Sequence, residues 1–149
     1  MRAVVQRVHE ATVVVADQTV AQIGSGLLLY VGVAASDTPR DAARLADKVR
    51  HLRVFPDEDK PLNRDVVAAG GAVLAVSAFT TQADARKGRR PALSAAAAPE
   101  LAQPLFDQFC NELTALGVEV YQGRFREHMD VRAINDGPVC ILLDTAKHF

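Results

Sequence analysis

Near the start of the chain, β-branched and apolar residues recur at alternate positions, the period of a strand with one face buried. Residues 2–8 and 11–23 therefore predict a β-hairpin, its β-branched positions supplied by Thr12-Val13-Val14-Val15 and Thr19-Val20-Ala21-Gln22-Ile23. Gly24-Ser25-Gly26 then punctuates the chain. The following run, Leu27-Leu28-Leu29-Tyr30-Val31-Gly32-Val33, is apolar on both faces and predicts a central strand covered from both sides.

From Pro39 the period becomes helical, with Ala42, Leu45, Ala46, Val49 and Leu52 on one face. Asp37 or Thr38 is available as the N-cap, and Pro39 suits the first turn. Turn chemistry follows at Pro56-Asp57-Glu58-Asp59-Lys60-Pro61. Gly70-Gly71 precedes a strand-like run over 72–79, and Arg86-Lys87-Gly88-Arg89-Arg90-Pro91 is too basic and broken to be core.

A second helix is predicted from Pro99 to Leu116, with Leu101, Leu105, Phe109, Leu113 and Leu116 as its apolar stripe and Gly117 as its stop. Further strands are expected at 119–122, 129–135 and 139–144. The expected fold is α/β: mixed, mostly antiparallel sheets in two barrel-like layers, two main helices packed outside, and a single domain over 1–149.

Composition fits that outline. The 149 residues are 49% hydrophobic and 23% charged, the balance of a globular chain. The N-terminal segment mixes charged and apolar residues, unlike a secretory signal, and no apolar run approaches the ~20 residues that span a bilayer. A cytoplasmic protein that does not engage membranes is expected. Cys110 and Cys140 stand far apart outside any CxxC pattern, so both are expected reduced and buried. The net charge of −1 offers no global attraction to polyanions, so a nucleic-acid partner requires a local basic patch.

There is no phosphate-binding GxxxxGK[ST], GxGxxG, HExxH or GxSxG in the chain. His9, His51, His128 and His148 do not repeat a ligand spacing, and no metal site or cofactor is expected. Two segments stand out. In Ser77-Ala78-Phe79-Thr80-Thr81, hydroxyls gather at a strand end, where they can face substrate or merely cap a turn. Asn135-Asp136-Gly137-Pro138-Val139 reads on its own as a β-turn.

In order, Gln6-Arg7-Val8, Gly24-Ser25-Gly26-Leu27-Leu28, Val31-Gly32-Val33, Arg53-Val54-Phe55, Leu62-Asn63, Ala69-Gly70-Gly71, Arg90-Pro91, Gly123-Arg124-Phe125 and Asn135-Asp136-Gly137-Pro138-Val139 make a specific set. The set resembles the D-aminoacyl-tRNA deacylase family from Met1 to about Asp144. The family's usual Ser-Gln-Phe-Thr-Leu stands here as Ser77 to Thr81 with Ala78 in place of Gln, and its Asn-x-Gly-Pro-Val-Thr ends here in Cys140.

The resemblance implies hydrolysis of the ester between a D-amino acid, or glycine, and tRNA by a homodimer. Gly137-Pro138 is expected to be cis and to reach into the partner's active site. Main-chain carbonyls there can accept hydrogen bonds from the substrate's α-ammonium, so that an L side chain collides with backbone, a D side chain points outward and glycine escapes the filter.

Ser77, Phe79 and Thr80 are the candidate catalytic residues, and Gly137, Pro138, Ala78, Asn135 and Arg7 the candidate substrate-binding ones. Arg7 is expected to tie down the Gly-Pro segment, while Arg86, Lys87, Arg89 and Arg90 are candidate tRNA contacts or simply a solvated loop. Thr80 lacks an evident base nearby in sequence, which favours direct attack by water, main-chain N–H groups around Phe79 and Thr80 holding the oxyanion. Assistance from the terminal adenosine's 2′-hydroxyl is implied by the resemblance. The alternatives are an enzyme that mainly clears mischarged glycine and a non-catalytic protein that binds the tRNA 3′ end; DNA is not an expected partner.

Overall fold

The computed structural model of the protein describes residues 1–148; Phe149, the last residue of the expected domain, lies outside them. Six strands form one mixed sheet: β1 Arg2–Val15, β2 Gln18–Ile23, β3 Gly26–Gly32, β4 Ala72–Ser77, β5 Glu119–Gln122 and β6 Asp130–Asp144. Helix α1 spans Pro39–Arg50 and α2 Pro99–Ala115. β1 pairs antiparallel with β2, β3 and β6, whereas β3–β4 and β4–β5 are parallel, joined through the helical crossovers that parallel neighbours require.

β1 organises the sheet. Its first half pairs with β3 (Arg2↔Gly32 to Val8↔Gly26), its second half pairs with β2, and β6 runs along its whole opposite edge. The sheet curls so that two of its portions face each other. Val8, Ala11, Val13 and Val15 of β1 meet Ala21 and Ile23 of β2 and Leu28, Leu74 and Val76 of β3 and β4 in an inner core. On the outer face Val5, Leu27, Leu29, Val73 and Ala75 pack against Leu45, Val49, Phe106 and Phe109 of the helices. Leu27, Leu28 and Leu29 are each 0% exposed because β3 lies between these two cores, as its doubly apolar run predicts.

The expected break in the first hairpin at 8–11 is a register shift inside one continuous strand. The parity of buried residues changes from Val8 to Ala11 there, as a bulge requires. The true turn is Ala16-Asp17, both at positive φ (47° and 61°), the geometry of a two-residue hairpin loop. No Gly or Pro marks it, which is why sequence reading misplaces it.

The two strands expected at 129–135 and 139–144 are likewise one strand, β6. In α1, Thr38 is the N-cap, and Asp41 accepts hydrogen bonds from its N–H and hydroxyl at 3.0 and 2.8 Å. In α2 the stripe drifts: steps of four residues advance about 40° past a full turn, so its start rotates out of the buried face. Leu101 is consequently 41% exposed, while Phe106 and Cys110 take core positions; Leu116, past the helix end at Ala115, is 38% exposed. Cys110 is buried as expected, but Cys140 faces outward from β6 and is exposed. No described helix is long and apolar enough to cross a membrane.

After β4 the chain does not extend straight on. It folds into a 3-10 turn, Phe79–Gln82, that lies against Gly32 at the end of β3. A Cβ at Gly32 would sit 2.0 Å from Thr81 Oγ1 and 2.7 Å from the Ala78 carbonyl oxygen, so a hydrogen at this position is what admits the turn. Gly32→Ala is expected to lower stability by about 1–3 kcal/mol, the usual range for overpacking, measured by chemical denaturation. Gly24→Ala, with nothing within 4 Å of the new Cβ, serves as the neutral control. Equal stabilities for the two variants would contradict this packing.

Candidate active site

The turn is held from several sides. The Ala78 N–H donates to the Val31 carbonyl at 2.8 Å, and the Ala78 carbonyl accepts from the Thr81 N–H and hydroxyl at 3.1 and 3.0 Å. Gln82, 3% exposed, donates its side-chain N–H to the Gly32 carbonyl at 2.7 Å. From the outer side, Arg2 Nη1 donates to the Thr81 carbonyl at 3.3 Å.

Pinned this way, the turn leaves the N–H groups of Phe79 and Thr80 at its first two positions, where a helical turn offers no internal acceptor. No side chain caps them. They are donors available to an oxygen that develops negative charge.

Beside the turn lies a cavity of about 440 Å³. Ser77, Ala78 and Phe79 form one wall, Val31 and Val33 the floor, and Ala102 and Phe106 of α2 another side. Phe125, Arg126, Glu127 and Met129 close it, Phe125 tilted against Phe106 with ring centroids 6.4 Å apart. The lining is mostly apolar, with polar groups gathered near Ser77 and the Arg126-Glu127 pair, a common make-up for a small-molecule pocket.

Thr80 is exposed and is not part of this lining, and among the described residues its hydroxyl has no hydrogen bond to a side-chain base. Phe79 is 59% exposed, unusual for a large aromatic side chain. Burial, and secondarily the Asp107 carboxylate, push the Cys110 thiol up to about 12, so it stays protonated and inert.

The second group of candidate residues lies elsewhere. β6 pairs with β1 at Asn135↔Val8 and Cys140↔Gln6, so the residues from Asp136 to Val139 oppose Arg7 alone. They bulge from the ladder as a short main-chain excursion that contains a cis Gly137-Pro138 bond, the isomer expected there. Arg7, 8% exposed, holds it: Nε lies 2.9 Å from Asp136 Oδ2, and Nη2 donates to Asp136 Oδ1 at 3.3 Å. The same guanidinium donates to the Val54 carbonyl at 2.5 Å through Nη1.

Gly137 sits at φ +119°, and a Cβ there would lie 3.0 Å from the Val139 side chain and 3.3 Å from Arg7 Nη2. Gly137 and Pro138 themselves are exposed. The chain thus brings Ser77, Ala78 and Phe79 together at the cavity and Arg7, Asn135, Gly137 and Pro138 together on the excursion, but none of the second set lines the first set's cavity.

In the basic loop, Arg86 is engaged by Asp84, with Nε and Nη2 bonds of 2.9 and 2.6 Å, whereas Lys87, Arg89 and Arg90 are exposed. The Arg86 guanidinium holds the Asp84 carboxyl well below the usual carboxylate range. Sequence reading misses Gln82, which lies one residue past the Ser77–Thr81 motif, and Arg126, Glu127 and Met129, which follow the Gly123-Arg124-Phe125 landmark. The positive φ of Arg126 (64°), which carries Arg126 and Glu127 to the cavity, has no marker in residue type.

The model of the D-Tyr-tRNA(Tyr) deacylase family matches residues 4–144. A D-aminoacyl-tRNA deacylase of Desulforudis audaxviator is 55% identical over 149 residues, covering 100% of both chains. One from Symbiobacterium thermophilum is 52% identical, covering 100% of this chain and 99% of its own. Among solved structures, the c-Myc DNA Unwinding Element Binding Protein superposes with a TM-score of 0.91 at 33% identity, covering 97% of this chain and 99% of its own. A probable eukaryotic D-amino acid tRNA deacylase shares the fold, with a TM-score of 0.80 at 17% identity over 95% of this chain and 97% of its own. With residues 4–144 matched by the family model and a relative 55% identical over its full length, the chain belongs to the D-Tyr-tRNA(Tyr) deacylase family.

Proposed function

We propose that the protein hydrolyses the ester between a D-amino acid, or glycine, and the terminal adenosine of tRNA, and that it does so in the cytoplasm as a homodimer. The observation that carries this reading is the pair of N–H groups, Phe79 and Thr80, without a partner among the described residues, at the mouth of an apolar cavity in a chain of this family. Water adds to the ester carbonyl, and the two N–H groups hold the oxyanion of the tetrahedral intermediate. Its collapse expels the ribose oxygen, which takes a proton, and leaves the free amino acid. The 2′-hydroxyl of the same ribose assists proton transfer, so no side-chain nucleophile is needed; Thr80, without a base beside it, serves through its main chain.

Discrimination of handedness rests on the excursion at Gly137-Pro138. Mirror-image amino acids carry the same groups, so only a stiff surface separates them, and Arg7 supplies the stiffness by binding Asp136 and Val54 at once. In the dimer each excursion enters the partner's cavity and completes it. The exposed Phe79 and Ile134 and the long edge of β6 favour such an assembly, since monomers seldom leave large side chains and strand edges uncovered. Lys87, Arg89 and Arg90 are free to approach tRNA phosphates, while Arg86 does so only by leaving Asp84.

Purified protein is expected to release D-tyrosine from D-Tyr-tRNA and glycine from Gly-tRNA while L-Tyr-tRNA stays charged. Equal rates on the two tyrosyl enantiomers would remove the filter, and tight tRNA binding without turnover would instead favour a 3′-end binding protein. Arg7→Gln is expected to reduce the D-over-L preference about 10- to 100-fold, the scale of a lost charge-assisted contact, read from kcat/KM on both substrates. Gln82→Leu leaves the Gly32 carbonyl without its donor; a fall in kcat with KM nearly kept is expected, alongside a stability loss of about 1–3 kcal/mol.

A further inference from the structure

Helix α1 presents Arg40, Arg44 and Lys48 outward, at the four-residue spacing that stacks side chains on one face. Like charges at that spacing oppose helix formation, although Lys48, in the last turn, suits the negative end of the helix dipole. Among the described residues, none of the three makes a hydrogen bond or ion pair. Arg50, in the last turn, contrasts with them: it binds Asp65 at 2.8 Å and the Leu116 carbonyl at 3.1 Å.

The three cations line a shallow groove of about 620 Å³ whose other wall, from Leu142 to Lys147, adds a further cation, Lys147. Of the groove's two acids, Asp144 is paired with Arg2 at 3.3 Å, while Asp47, 3.1 Å from His51, is exposed and stays an anion beside the band. A chain of net charge −1 therefore carries a local band in which four cations, Arg40, Arg44, Lys48 and Lys147, outnumber two acids. The groove also adjoins the catalytic turn, because the Arg2 guanidinium holds Asp144 through Nε and the Thr81 carbonyl through Nη1, each at 3.3 Å.

We propose that the groove between α1 and the end of β6 binds the phosphodiester backbone of the tRNA whose 3′ end occupies the cavity. Cations about 6 Å apart along a helix match the step between successive phosphates of a strand, and a strand leaving the turn reaches this groove next. The proposal rests on the deacylase reading above and deepens it: the turn and excursion choose the amino acid, and the groove holds the RNA.

The test compares the wild-type protein with the triple variants Arg40→Glu/Arg44→Glu/Lys48→Glu and Arg40→Gln/Arg44→Gln/Lys48→Gln on D-Tyr-tRNA and on the D-tyrosyl ester of adenosine, which has no phosphodiester. For the glutamate triple we expect KM on D-Tyr-tRNA to rise on the order of 10- to 100-fold, with kcat within about twofold and the adenosine ester unaffected. The slope of log KM against log salt should fall by about 2–3, with the glutamine triple intermediate. An unchanged KM and salt slope on D-Tyr-tRNA would overturn the proposal, as would equal losses on both substrates in both triples. Should wild type cleave neither substrate, the deacylase reading fails, and binding of uncharged tRNA by the same proteins, with the same loss of salt slope, decides the groove separately.

Discussion

A guanidinium removed from water must find compensating charge and acceptors, and Arg7 finds both on segments that are distant in sequence. Asp136 supplies the negative charge and Val54 a carbonyl, so the strand that carries Arg7 is fastened to the β6 excursion and to the loop after α1 at once. The excursion has left the ladder opposite Arg7 and lacks the regular bonds that stiffen a strand. The ion pair replaces them. Any role of Gly137-Pro138 in recognising an amino acid depends on that replacement, because a loosely held turn would yield to the wrong enantiomer.

On the opposite flank, the 3-10 turn is rigid for a different reason. It is packed, through Thr81 and Gln82, against a bare backbone at Gly32, and Arg2 holds it from outside. One site is thus defined by a charge pair and the other by close contact of main chains. The proposed function calls on the peptide groups of both, one to hold an oxyanion and the other to probe a stereocentre.

Much of the fold was legible in the residues. The doubly apolar run at Leu27–Val33 specified a strand with cores on both faces, and the period of Ala42, Leu45, Ala46 and Val49 specified α1, whose cap the sequence left between Asp37 and Thr38 and the structure places at Thr38. What escaped was geometry without a residue signature. Ala16 and Asp17 make a tight turn without glycine, and α2 buries Phe106 because a helix of 3.6 residues per turn does not follow a four-residue stripe. The candidate site was read from the sequence as two motifs. Their separation within one chain, and the part of Gln82, Arg126 and Glu127, were not, since these depend on which loops the sheet brings together.

Gly32 bears on how this chain tolerates sequence change. Where recognition is carried by amides and carbonyls, the side chains hung on them are comparatively free to drift, and Ala78 and Cys140, which depart from the usual motifs, sit at such positions. The demand falls instead on residues without side chains: a Cβ at position 32 would meet Thr81 Oγ1 at 2.0 Å, and one at 137 would meet the Val139 side chain at 3.0 Å on a backbone at φ +119°.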